Sequence, residues 1–302
     1  MSYRYHTADV FTDTAFGGNQ LAVIPDARGL SSEDMQAITR EFNYSESTFV
    51  LPAEREGNTR RVRIFVPGKE IPFAGHPTVG TAFVLAATGE IELTGDETRI
   101  IFEEGVGDVP VTIFAKNGKP VSAQLTTAMV PESRRVDVDP KAVAETVSLD
   151  VSDLKITDGD AIEAWSCGLP YLCIPLRTHE ALKRARIRED VWERNLKGLW
   201  AAEPYIFYAD PNGAEYRVRM FAPAVGVTED PATGSAAAAF AGYVASRSPR
   251  ADATLRFTVY QGAELGRPSR LDVEVDTSSS GVTAVRVAGA CVLVTSGTLH
   301  VR

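Results

Sequence analysis

Long apolar runs are absent from this sequence: no stretch approaches the roughly 20 consecutive apolar residues that a membrane-spanning helix needs, and the opening MSYRYHTADV carries neither an apolar signal core nor a cleavage site. A cytoplasmic protein is therefore expected. Cysteine is scarce and odd in number. Cys167, Cys173 and Cys291 are the only ones, none in a Cys-x-x-Cys pair, so neither a disulfide framework nor a zinc site is expected, and they read as small buried hydrophobes. Basic residues are outnumbered, 31 against 40 acidic for a net charge of −9, with no basic run and no interleaving of Lys or Arg with aromatics. A nucleic-acid partner is excluded on that ground. Histidine is rarer than chance scatter would hide: His6, His76, His179 and His300 are all there are. No cluster of His, Cys and carboxylate has ligand spacing, so no metal is expected.

What the sequence does contain is itself, twice. A chain of 302 residues exceeds what one core usually serves. Arg61-Val62-Arg63-Ile64-Phe65-Val66-Pro67 recurs as Arg217-Val218-Arg219-Met220-Phe221-Ala222-Pro223, five of seven identical at an offset of 156. His76-Pro77-x-x-Gly80-Thr81-Ala82 recurs as Asp230-Pro231-x-x-Gly234-Ser235-Ala236 at 154, and Gly18-x-x-Leu21-x-x-Ile24-Pro25 as Gly168-x-x-Tyr171-x-x-Ile174-Pro175 at 150. Three collinear matches point to a duplicated domain. The boundary is placed near 128, giving domains 1–128 and 129–302, with the last strand, 291–301, free to cross back to the first.

Each copy reads as strands around one apolar helix, an α+β arrangement. Strands are expected at 48–51 and 61–66, and at 205–208 and 217–221. A helix is expected from Pro77 to Gly89 and another from Pro231 to about Ser246. Neither has a charged side chain to turn toward water, so each must be wrapped by other structure, expected to be a curled, barrel-like sheet. Outer helices are expected from Ser31 to about Phe42 and from Glu180 to about Leu196. Asn117-Gly118 marks a hairpin that closes the first domain, with a counterpart around the Ser-Ser-Ser-Gly turn at 278–281.

The repeated signature places a different ionisable residue, His76 or Asp230, at the head of each apolar helix, where free N–H groups and a positive dipole end attract anions. Two such termini facing each other between the domains would cradle a carboxylate, with Gly75, Gly234 and Ser235 letting the backbone come close. Taken alone, Asp230 reads as an N-cap, His76 as a satisfied turn histidine that titrates near neutral pH, and Glu46 as a loop acid before a strand. Repetition favours the functional reading of His76 and Asp230. Glu46 beside apolar neighbours is expected to have a raised pKa and to serve as acid and base in turn.

At these residues the chain resembles the PhzF family of phenazine-biosynthesis-like proteins. The resemblance runs through Asp9-Val10-Phe11, Gly18-Asn19-Gln20-Leu21-Ala22-Val23, Ser45-Glu46-Ser47-Thr48-Phe49-Val50, Ala74-Gly75-His76-Pro77-Thr78-Val79-Gly80-Thr81 and Glu229-Asp230-Pro231-Ala232-Thr233-Gly234-Ser235-Ala236. It implies the diaminopimelate epimerase-like fold, two similar domains with the active site between them, and homodimers. It implies a cofactor-independent isomerase of a small carboxylic acid, moving a proton within trans-2,3-dihydro-3-hydroxyanthranilate, with Glu46 as acid/base, His76 and Asp230 as polar companions, and Gly75, Gly234 and Ser235 holding the substrate. The same chemistry on another small acid, and a non-catalytic dimeric protein that binds such an acid, remain the alternatives. Retention of all three ionisable residues favours an enzyme. The thiol racemases of this architecture head each helix with cysteine; His76 and Asp230 stand there instead, which excludes a two-thiol mechanism.

Overall fold

A computed structural model describes residues 1–157, 159–211, 214–248 and 252–301. The chain divides into two compact units, one formed by Met1–Ala128 and the segment from Arg286 onward, the other by Met129–Val285. Unit 1 contains β1 (Ser2–Val10), β2 (Asn19–Ile24), α1 (Ser32–Phe42), β3 (Glu46–Leu51), β4 (Arg60–Phe65), β5 (Glu70–Ile71), α2 (Gly75–Ala87), β6 (Glu97–Glu104), β7 (Gly107–Lys116) and β8 (Lys119–Thr126). Unit 2 contains β9 (Glu132–Arg134), α3 (Pro140–Thr146), β10 (Glu163–Ser166), β11 (Pro170–Pro175), α4 (His179–Arg184), α5 (Glu189–Asn195), β12 (Glu203–Ala209), β13 (Glu215–Ala222), β14 (Val227–Asp230), α6 (Gly234–Ala245), β15 (Ala253–Gln261) and β16 (Ser269–Ser278). The last strand, β17 (Gly281–His300), begins in unit 2 and is continuous into unit 1.

The pairings repeat as the sequence does. In unit 1, β1–β2 is antiparallel, β2–β3 parallel, β3–β4 and β4–β5 antiparallel, β4–β6 parallel and β6–β7 antiparallel. In unit 2, β10–β11 is antiparallel, β11–β12 parallel, β12–β13 and β13–β14 antiparallel, β13–β15 parallel and β15–β16 antiparallel. In unit 1, β7 pairs with β8, β8 with β17 and β17 with β1, which closes an eight-stranded barrel around α2. Closure removes the sheet edges that would otherwise recruit foreign strands.

Both central helices are encased. Gly75 through Ala86 of α2 are all buried, as are Gly234 through Tyr243 of α6, so burial rather than a polar face holds these apolar helices in place. Gly80 is required at its place, because a Cβ there would lie 2.6 Å from Leu21 and from Val10 on the barrel wall. In unit 2 the rings of Tyr205, Phe207, Tyr216 and Phe257 surround Phe240 of α6 at centroid distances of 4.7–6.0 Å, edge-on and tilted contacts that add to area burial. The helix α1 starts on Ser31 and Asp34, which cap each other's backbone N–H groups. Asn117 and Gly118 both take positive φ, 54° and 72°, the type I′ geometry that joins β7 to β8.

Two expectations about helices need correction. The single helix expected from Glu180 is two, α4 and α5, broken at 185–188. There the buried Arg219 of β13 takes the carbonyls of Leu182 and Ala185 at 3.0 and 2.6 Å, giving the chain a better partner than a further helical turn. Pro231 does not open its helix either: α6 starts at Gly234, and Asp230 ends β14.

Candidate active site

The element order gives a firmer correspondence between the copies than the His76/Asp230 signature does. In unit 1, Glu70-Ile71-Pro72-Phe73-Ala74 leads from β5 into α2 at Gly75; in unit 2, Glu229-Asp230-Pro231-Ala232-Thr233 leads from β14 into α6 at Gly234. The offset is 159, and an ion pair repeats with it: Arg63 holds Glu70 through two bonds of 2.8 and 2.6 Å, and Arg219 holds Glu229 through two of 2.8 and 2.6 Å. His76 therefore corresponds to Ser235, both second in their helices, and Asp230 to Ile71. The expected equivalence of His76 and Asp230 is overturned: Ile71 pairs with Ile64 of β4 as Asp230 pairs with Met220 of β13, and matching the two Pro residues ignored that Glu229 follows Arg219 by ten residues where Glu70 follows Arg63 by seven. Asp230 also does not cap α6, whose N-cap is Thr233.

Glu46 opens β3, opposite Leu21 of the parallel neighbour β2. His76 is buried in the first turn of α2, with Nε2 3.5 Å from Glu46 Oε2. The other ring nitrogen, Nδ1, lies 3.2 Å from Asn19 Nδ2, and Ser45 donates to Asn19 Oδ1 at 3.2 Å. The amide so oriented offers its N–H₂ to Nδ1, which leaves the ring proton on Nε2, 3.5 Å from Glu46 Oε2 and outside hydrogen-bond geometry with it. Asn19 owes its position to Gly18, whose φ of 60° and approach to the Val10 carbonyl leave no room for a Cβ. Burial pushes the His76 pKa down to about 3, opposed by the backbone of Gln20. The expectation that His76 titrates near neutrality is thus corrected: its encasement in the barrel keeps the ring neutral.

In unit 2, Asp230 is buried and accepts the Thr233 hydroxyl at 2.5 Å. Gln261, at the end of β15, donates to the Asp230 carbonyl at 2.7 Å and to Thr233 Oγ1 at 3.0 Å, and accepts from the Thr233 N–H at 3.2 Å. Ser235 Oγ lies 2.7 Å from the Tyr171 hydroxyl. Neither α2 nor α6 has a side chain capping its N-terminus, so the first-turn amides at Gly75 and Gly234 keep the anion-attracting character of helix ends. The structure brings Glu46 and His76 together in unit 1, and Asp230 and Ser235 near the start of α6 in unit 2.

Two acids escaped sequence reasoning. Glu203 opens β12 opposite Tyr171, the register that Glu46 has opposite Leu21, and burial pushes its pKa up to about 7 against the backbone of Ala224. The offset of 157 between Glu46 and Glu203 lies one residue from the one already found for the adjoining strands, so the signal was present. Glu104 ends β6 buried, with its pKa pushed up to about 8; it directly follows Glu103, and nothing in the sequence around it marks it as buried. Among the described residues no group of three or more His, Cys, Asp or Glu could hold a metal ion, and no helix is long and apolar enough to cross a membrane.

The family profile for phenazine biosynthesis-like proteins matches residues 8–297. An isomerase of Mesorhizobium japonicum is 38% identical, with 98% of each chain covered. The trans-2,3-dihydro-3-hydroxyanthranilate isomerase of Pseudomonas aeruginosa is 34% identical over 95% of each. Among solved structures, a Bacillus anthracis phenazine biosynthesis protein of the PhzF family superposes with a TM-score of 0.88 at 25% identity, covering 100% of both chains. The fold is the expected diaminopimelate epimerase-like α+β one.

Proposed function

The chain belongs to the phenazine biosynthesis-like PhzF family and is an isomerase, and we propose that it moves a proton within a small carboxylic acid of the dihydro-hydroxyanthranilate type, with no cofactor, using Glu46 as the acid and base. The observation that carries this reading is the Glu46–His76 pair, 3.5 Å apart. A neutral imidazole beside the carboxylate can steady either protonation state of Glu46 without surrendering a charge of its own. Glu46 takes the proton from one carbon and returns it to another. The backbone at Gly75 and Gly234, with Ser235, binds the substrate carboxylate, and Asp230 orients the polar group beside the reacting carbon. The protein works as a homodimer, as its family resemblance implies.

The test uses solvent-deuterium exchange into trans-2,3-dihydro-3-hydroxyanthranilate and a panel of other small cyclic acids. Glu46→Gln keeps the size of the side chain but cannot carry the proton. Exchange should fall by about 10²–10⁴-fold while affinity for a carboxylate analogue changes little. Exchange in Glu46→Gln near the wild-type rate would move the base to another residue, and exchange only into a different acid of the panel would keep the chemistry and change the substrate.

A further inference from the structure

Thr78 stands in the first turn of α2, two residues after His76, and its single hydroxyl hydrogen is asked for twice. Its Oγ1 lies 2.8 Å from the Ala74 carbonyl and 2.7 Å from Glu104 Oε1. A hydroxyl donates once. With an ionised Glu104 one of these contacts would be a close approach of two acceptors; with a protonated Glu104 the carboxyl donates to Thr78 and Thr78 donates to Ala74, and both are satisfied.

The duplication makes the same point from outside. Arg61 of β4 stands opposite Glu103 of β6, and Arg217 of β13 opposite Tyr260 of β15. Since Arg61 corresponds to Arg217, Glu104 corresponds to Gln261. Gln261 is a neutral group that both donates and accepts, and it fastens the segment Asp230–Thr233 that leads into α6. A protonated carboxyl is the acid that can do both. The counterpart of Asp230 is Ile71, and Ile71 and Glu104 line one cavity of about 260 Å³. Glu104 is 7% exposed, and its Oε2 has no hydrogen-bond partner among the described residues.

We infer that Glu104 is a positioning residue of this site: as a neutral carboxylic acid it fastens the first turn of α2, and so holds His76 in place, as the amide of Gln261 fastens the start of α6. The inference rests on the proposed function only in taking His76 as part of the site. Burial, opposed by the Thr78 hydroxyl, raises the carboxyl to about 8, so the proton leaves at mildly alkaline pH and the hold on α2 is lost. The charged groups around it are engaged elsewhere. Arg55 pairs with Glu103 and Asp108, Arg61 with Glu54, and Arg63 with Glu70. On α2 itself the ionisable neighbour is His76, which stays neutral in this range.

The experiment compares wild type, Glu104→Gln and Glu104→Ala without any substrate. In wild-type protein labelled with ¹³C-glutamate, the carboxyl resonance that is missing from Glu104→Gln should titrate on the alkaline side of neutrality. Between pH 6 and pH 9 the wild-type folding equilibrium should fall at least about tenfold relative to that of Glu104→Gln, because the folded state alone holds this proton. The ring ¹⁵N signals of His76 should shift over the same range in wild type, hold their pH 7 position in Glu104→Gln, and be displaced at every pH in Glu104→Ala. A carboxyl already ionised at pH 6, or a Gln variant that displaces His76 as far as Ala does, overturns the inference. So does a Gln variant that fails to fold, since a neutral isostere is what the position requires. None of these readouts uses turnover, so failure of the proposed isomerisation would leave them standing.

Discussion

A histidine next to a carboxylate usually gains positive charge, and at His76 burial reverses that. Transferring an imidazolium into the barrel costs more than Glu46 at 3.5 Å returns, and the ring's pKa falls to about 3. A cationic partner would pin Glu46 as a carboxylate; a neutral ring lets it pick up and release a proton. The pH profile of exchange should accordingly show no limb from His76 between pH 5 and pH 8. ¹⁵N spectra should report a neutral ring down to about pH 4, and an imidazolium signal at pH 6 would remove this account of Glu46. The sign for stability follows. The unfolded chain protonates His76 near 6.5 and the folded one near 3, so this residue makes the protein less stable as pH falls through that window.

One ion pair, used twice, separates exposed from buried at the scale of the element. Arg63–Glu70 ties β4 to β5 with side chains 18% and 43% exposed, while Arg219–Glu229 ties β13 to β14 with 2% and 9%. The geometry is shared and the surroundings are not. Arg63→Ala should cost at most about 1 kcal/mol. Arg219→Ala should cost about 3–5 kcal/mol, because it strands a buried carboxylate and frees the carbonyls that end α4. Urea unfolding of the two variants measures the difference, and equal costs would contradict the assignment. Sequence reasoning found both arginines as a repeat without seeing that one of them interrupts a helix, since the break comes from a tertiary contact rather than from a Gly or Pro. The apolar central helices were legible because uncharged runs have few places to go. Glu46 and His76 were legible only through the repeat and the family resemblance. Glu203 and Glu104 were not, because an acid's burial depends on which strand end it occupies, and in both cases that was set by register.

For the molecule as a whole, two acids with raised carboxyl pKa, the buried Glu104 and the half-buried Glu203, set how stability responds to alkali. Glu104 in unit 1 and Glu203 in unit 2 hold their protons in the folded state up to about pH 8 and about pH 7, whereas unfolded glutamates lose theirs near 4.5. From 4.5 upward the folded chain binds more protons than the unfolded one at each site. Stability is therefore lost as pH rises, by up to about 1.4 kcal/mol per pH unit for each group until its folded pKa is passed. His76 works the other way below 6.5 and offsets one of the two up to that point. The loss therefore continues above pH 6.5, where the offset from His76 has ended and Glu104 still holds its proton. The double variant Glu104→Gln/Glu203→Gln keeps the shapes and removes both protons from the balance. Its urea midpoint should stay nearly level from pH 6.5 to pH 8.5 while that of wild type falls. A wild-type midpoint as level as that of the double variant would mean that these two carboxyls are ionised in the folded protein and that their burial is relieved by water.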